Sequence, residues 1–247
     1  MKLLEVCVDS FLSAQRAIAG GADRLELCGV LAAGGITPPV SLIEQCCALA
    51  PNRVMVMIRP RAGSFSYTSE ELLGMERDIH VARNSGARGV VFGILHDDFT
   101  LHIEATRRLC EAAHGLDITF HRAFDLIADK TEALERLVEL GIPRVLTSGG
   151  AMMAEAGAAV LTELVRQAAG RIVVMPGSGV RPANLLTLDR QIRAAEYHAS
   201  ARRAPAKPTE CGSRRWQVAE SMAATEQPEC DEATVRELRG ILDGIES

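Results

Sequence analysis

Gly20-Gly21-Ala22-Asp23-Arg24-Leu25-Glu26-Leu27-Cys28 is the stretch that decides the fold. It reads as a helix end, a glycine turn and a short strand: glycine closes helices where the backbone turns left-handed, and the run after it is too short for a helix. The same connection recurs at Gly86, Gly141 and Gly170, with Arg88, Arg144 and Arg171 at or near the strand starts, as Arg24 is here. Working outward, strands are predicted over Leu3 to Cys7, Arg24 to Cys28, Val54 to Arg59, Gly89 to Gly93, Ile118 to Arg122, Arg144 to Ser148, Ile172 to Pro176 and Ala194 to His198. The helices between them have readable starts: Pro38-Pro39, Thr68 with Glu71 as a capping box, and Asp129 with Glu132. Near-continuous apolar strands alternating with helices imply a parallel sheet covered on its faces, and eight right-handed crossovers close it into a (β/α)8 TIM barrel. An open doubly wound sheet would carry G-x-G-x-x-G after its first strand, whereas Cys7 is followed by Val8-Asp9-Ser10.

The chain's 247 residues, 47% of them hydrophobic, suit one such barrel. The barrel is expected over residues 1–200, an irregular surface loop over 201–229, and a C-terminal helix over 230–247 that packs on the barrel through Val235, Leu238, Leu242 and Ile245. A net charge of −5 and a pI near 5.7 leave no basic stripe for nucleic acid or an anionic membrane. Without a leader or a long apolar run, the expected location is cytoplasmic. Seven cysteines, odd in number and free of any C-x-x-C pair, read as reduced thiols.

In a parallel barrel the C-terminal strand ends converge on one face, and here they form a polar ring. Side chains alternate along a strand, so Glu5 shares a face with Cys7, Glu26 with Cys28, Thr119 with His121 and Glu196 with His198. The apolar Val6, Leu27 and Phe120 between them take the helix side, which puts the polar set in the lumen. Three carboxylates there need partners, and Arg59, His121 and Arg122 are the cations expected to supply them. The turn Gly177-Ser178-Gly179 after the seventh strand offers backbone N–H groups to an anion, and Ser148-Gly149-Gly150 offers a second cradle. Cys7 and Cys28 end adjacent strands about 4.8 Å apart, so at equivalent heights two thiols can approach one soft ion such as Cu(I). His96 and His102, with Asp97 and Asp98, read as a solvated turn. The three lysines lie off the strand ends, which disfavours Schiff-base chemistry.

Six motifs in order, Glu5-Val6-Cys7-Val8-Asp9-Ser10, Gly21 to Cys28, Met57-Ile58-Arg59-Pro60-Arg61, Thr119 to Asp125, Val145 to Gly149 and Met175-Pro176-Gly177, resemble the CutC copper homeostasis family over residues 1 to about 200. The resemblance implies a barrel of copper handling and Cu(I) binding that forms a homo-oligomer, dimer or tetramer, with Cys7 and Cys28 as the metal-binding cysteines.

Two functions divide the ring. A Cu(I)-binding protein needs the thiols and leaves Glu5, Arg59, Arg61, Arg122 and His198 unexplained. A barrel enzyme for a small anionic or phosphorylated metabolite would use Glu26 and His121 as acid and base. Arg59, Arg61 and Arg122, together with Ser148, Gly149 and the Gly177-Ser178-Gly179 turn, would hold its anion, but no reaction follows.

Overall fold

The computed structural model describes residues 2–202 and 229–245. Eight strands, β1 (Leu3–Val8), β2 (Arg24–Leu27), β3 (Val54–Met57), β4 (Gly89–Phe92), β5 (Asp117–Phe120), β6 (Arg144–Thr147), β7 (Val173–Pro176) and β8 (Glu196–Ala199), are parallel and stand in the order β7-β6-β5-β4-β3-β2-β1-β8. Hydrogen-bonded ladders join seven neighbouring pairs; β7 and β8 pack side by side without a described ladder, so the barrel is nearly closed.

Seven helices alternate with these strands: α1 (Phe11–Ala19), α2 (Val40–Leu49), α3 (Ser69–Asn84), α4 (Ile103–Ala112), α5 (Lys130–Glu139), α6 (Ala158–Ala168) and α7 (Pro182–Ile192). Their starts follow local chemistry. Thr68 and Glu71 form the full capping box of α3, and the Asp129 side chain accepts the Glu132 N–H at the start of α5. α2 follows Pro39, as the proline pair suggests. Gly21, Gly86, Gly141 and Gly170 all adopt positive φ, the left-handed turn that makes the helix-to-strand connection repeat.

Leu4, Val6, Val8, Leu25, Leu27, Val54 and Val56 face outward into the main apolar core between sheet and helices. The alternate residues face the lumen, where Cys28, Met55, Met57 and Val91 form a small separate apolar cluster. A last helix, α8 (Glu232–Asp243), packs against α7, α1 and β1 and takes the eighth helix's place, burying Val235, Leu238 and Leu242. Gly20 makes room for it: a Cβ there would lie 2.6 Å from the Cβ of Val235. Most of the predicted surface loop over 201–229 lies outside the described residues. No helix among the described residues is long and apolar enough to cross a membrane.

Candidate functional site

The lumen carries two polar layers. The one nearer the strand starts is an ion-pair chain. Glu5 accepts from Arg24 Nε at 2.5 Å, Arg24 also binds Glu196, Arg144 Nε donates to Glu196 at 2.6 Å, and Arg144 reaches Asp117 at 3.2 Å. Thr119 Oγ1 accepts a further bond from Arg144. These groups are almost fully enclosed, and buried charges persist only where geometry and hydrogen bonds compensate for lost water.

Arg24 and Arg144 therefore fill the role that the sequence suggested for Arg59, His121 and Arg122. Arg59 instead donates from Nη1 and Nη2 to the carbonyls of Ala33, Gly35 and Gly63 at 2.9–3.1 Å and lies over the Phe65 ring, so backbone dipoles rather than carboxylates hold it, with Nε unpartnered among the described residues. It stitches the loops after β2 and β3. Arg61 pairs with Glu71 at 2.5 Å, inside the capping box of α3. Arg122 donates to Asp125 at 2.8 Å and to Ser148 Oγ at 3.1 Å.

The upper layer, at the C-terminal strand ends, frames a cavity of about 310 Å³. Cys7, Glu26, His121, Arg122, Ser178, Gly179 and His198 line it, with Leu31, Met57, Phe65 and Leu146 as apolar walls. Ladder register sets the heights: Cys7 is level with Glu26, and Glu5 is level with Arg24 on one side and His198 on the other. The two cysteines thus do not stand at equivalent heights, because neighbouring strands of the barrel are staggered. Cys28 sits two residues beyond the partner of Cys7, wholly enclosed under Gly35, with its thiol 3.7 Å from Glu26 Oε2.

One donor atom each from Cys7, Glu26 and His198 lies within 4.8 Å of the other two, a set able to hold a metal ion. His198 Nε2 is 3.1 Å from Glu26 Oε2 and 3.9 Å from Glu5 Oε1. Burial alone would lower the pKa of His198, but the Glu26 carboxylate and Cys7 outweigh it and hold the imidazole protonated well above its usual range. Burial, then Glu26, pushes the Cys28 thiol well up.

His121 is the opposite case. Its Nδ1 accepts the Ala123 N–H at 3.2 Å, and Gly93 leaves room for the ring, since a Cβ there would lie 2.5 Å from Nδ1. Burial, with Arg59 adding to it, lowers its pKa to about 3. The ring is therefore neutral with its proton on Nε2, and Nε2 has no partner among the described residues; nor has Glu26 Oε1. One is a donor, the other an acceptor, and both residues line the cavity.

The two glycine cradles differ. At Ser148-Gly149-Gly150 the anion is the chain's own Asp125, whose carboxylate accepts from Thr147 Oγ1 at 2.5 Å and from the N–H groups of Ser148 and Gly150 at 3.0 Å. Gly149 lies away from the mouth, on a groove between α5 and α6. At the β7 turn the Gly177 N–H is bonded to Thr147 O, the Ser178 hydroxyl to Met152 O and the Gly179 carbonyl to Asn184. The N–H groups of Ser178 and Gly179 take no hydrogen bond among the described residues, and both residues face the cavity.

A nearly closed parallel barrel with a thiol, a carboxylate and two imidazoles at its C-terminal mouth defines a TIM-barrel protein with a metal-competent pocket. The CutC family model matches residues 2–203, and the chain belongs to that family. A protein of Histophilus somni (strain 2336) named family protein CutC is 48% identical over 199 residues, 81% of this chain and 82% of the relative. One of Agrobacterium fabrum with the same name is 43% identical over 241 residues, 97% and 94% of the two chains. The crystal structure of the putative copper homeostasis protein CutC from Streptococcus agalactiae superposes with a TM-score of 0.77 at 33% identity, covering 81% of this chain and 99% of that one.

Proposed function

We propose that this CutC family member is a copper-homeostasis protein that binds Cu(I) at the barrel mouth in the reducing cytoplasm. The observation that carries the reading is the convergence of Cys7, Glu26 and His198 within 4.8 Å at the cavity. Cys7 supplies the soft thiolate and His198 the nearest second donor, once Glu26 gives up its hydrogen bond to the ring. Cys28, the second thiol of the motif pair, joins as a further donor only when Glu26 swings from between them. The six described cysteines are free thiols, as a Cu(I) site requires. A competition titration against a Cu(I) chelator, with reductant present, tests this. Cys7→Ser should weaken binding more than about a hundredfold, because changes behind the ligands alone cost about 10–100-fold. An unchanged affinity in that variant would overturn the assignment. The homo-oligomer, dimer or tetramer, belongs to the same proposal and is read by analytical ultracentrifugation.

A second reading, an enzyme for a small anionic metabolite, has its own support. His121 Nε2–H, Glu26 Oε1 and the N–H groups of Ser178 and Gly179 have no hydrogen-bond partner among the described residues, and all belong to residues lining one cavity. In it Glu26 is the base, His121 a neutral hydrogen-bond donor to a carbonyl oxygen, and the β7 turn the anion holder. Titration with inorganic phosphate should then move the amide resonances of Ser178 and Gly179, and their failure to move would remove this reading.

A further inference from the structure

We propose a second metal site on the barrel rim, in which His96, His102 and Glu104 bind a divalent d-block ion such as Zn2+. One donor atom from each lies within 4.8 Å of the other two, in the connection between β4 and α4. That connection is held as a miniature hairpin. Leu95 and Leu101 form an antiparallel bridge, the His96 N–H bonds to Thr100 O at 2.9 Å, and Asp98 Oδ1 accepts from both the N–H and the hydroxyl of Thr100. The scaffold is therefore preset, and little chain order has to be gained when an ion binds.

The rings of His96 and His102 stack with centroids 4.0 Å apart and planes inclined by 16°. The lone pairs of stacked rings lie in nearly parallel planes, so the exposed His96 ring has to tilt out of the stack to bring a nitrogen onto a shared ion. As the N-cap of α4, His102 accepts the Ala105 N–H on Nδ1 at 3.3 Å, so its proton is on Nε2 and Nδ1 is the ligand atom; an ion bound there takes the place of that N–H. Glu104 Oε2, on a largely exposed side chain, stands 3.6 Å from that same Nδ1, close to the about 3.3 Å that separates two donors bound at about 2.05 Å to one tetrahedral ion. Helix capping explains His102 but gives no reason for an imidazole at 96; a shared ion explains both. Two nitrogens and an oxygen are a borderline donor set that suits Zn2+, Ni2+ or Cu2+ rather than Cu(I), which separates this site from the thiol of the mouth.

The test is calorimetric titration of the full chain with Zn2+, paired with visible spectra of the Co2+ form. The parent should bind at this site an ion whose Co2+ spectrum lacks the thiolate charge-transfer band, apart from any ion that Cys7, Glu26 and His198 take at the mouth. His96→Ala should weaken that ion by at least about tenfold. His102→Ser, which keeps a side-chain oxygen for the cap of α4, should do the same without loss of helix. Cys7→Ser should leave it unchanged. A Cys7→Ser protein that is folded and binds no Zn2+, or Zn2+ binding in that variant that an added His96→Ala leaves unchanged, would each overturn the site.

Discussion

The two polar layers of the lumen are built from the same residue types and finished differently. Near the strand starts, Glu5, Arg24, Glu196, Arg144 and Asp117 form a continuous chain of ion pairs. At the mouth, Glu26 Oε1 and His121 Nε2 are enclosed without a partner, and one carboxylate oxygen holds the only imidazolium. A layer whose charges pair with one another has little left to offer a ligand; its enclosed oxygen without a hydrogen bond among the described residues, Glu5 Oε1, is the one that approaches His198 of the mouth. A layer left with an unpaired donor and an unpaired acceptor has a binding capacity that costs stability. This fits the division in TIM barrels between an N-terminal end that keeps the fold and a C-terminal end that does the work. The layers are not isolated: Glu5 Oε1 approaches His198 at 3.9 Å and is the point of contact between them.

The largest effect expected is on the lower layer. Arg24→Met should lower unfolding free energy by about 3–5 kcal/mol, since it strands Glu5 as a buried charge without its arginine, while Glu196 keeps Arg144. Adding Glu5→Gln should restore a large part of that loss, because the cost lies in the orphaned carboxylate rather than in the pair. Urea unfolding at neutral pH reads both. A loss below about 1 kcal/mol for the single variant would mean that the layer is solvated and the contrast with the mouth is false.

The next effect is pH-dependent. His121 titrates at about 3 in the fold against 6.5 in an unfolded chain, so between those values the unfolded state binds more protons. Its contribution is present above pH 6.5 and disappears progressively as pH falls toward 3; at pH 5 the loss is about 2 kcal/mol. His198 has the opposite sign, since a raised pKa adds stability below 6.5 that is lost only as pH climbs through its folded value. His121→Gln removes the first and keeps the second. Its stability should therefore fall less than the parent's between pH 7.5 and pH 5, by about 2 kcal/mol. Equal pH slopes for the two proteins would show His121 reached by water and the mouth less dry than drawn.

The barrel was legible because its strands are short apolar runs and glycines mark four of its helix ends; the strands fall within a residue or two of the readings at every start and end. Alternation also put Glu5, Cys7, Glu26, Thr119, His121, Glu196 and His198 correctly in the lumen. The partners of the carboxylates were missed although the signal was present. Arg24 is two residues before Glu26, hence on its face, yet it read only as punctuation of the connection. Stagger was not legible, since it depends on how the closed sheet tilts, and it moves Cys28 away from the level of Cys7. Nor was the occupant of the Ser148 cradle: nothing local tells that Asp125, from the preceding βα connection, will fold back into it. The solvated turn at His96 and His102 proved an ordered ring stack for a similar reason, since cross-hairpin contact is set by the bridge between Leu95 and Leu101.

The smallest expected change sharpens the comparison most. Cys7 lies on the same strand and face as Glu5, only two residues on, yet it belongs to the mouth and has 7% of its surface exposed. Serine is close in shape to cysteine, and a hydroxyl there finds Glu26 and His198 within reach, so Cys7→Ser leaves no polar group stranded and opens no sizeable void. Its unfolding free energy should stay within about 1 kcal/mol of the parent's, in the range of substitutions that break no buried network. Glu5→Ala, two residues away, should by contrast cost several times as much, because it takes one of the two carboxylates of the buried Arg24 and leaves a void in an enclosed layer. If urea unfolding finds the two variants equally damaged, Cys7 is a packing residue of the lower layer, and the boundary between a layer that holds the barrel and a layer that binds lies higher than residue 7.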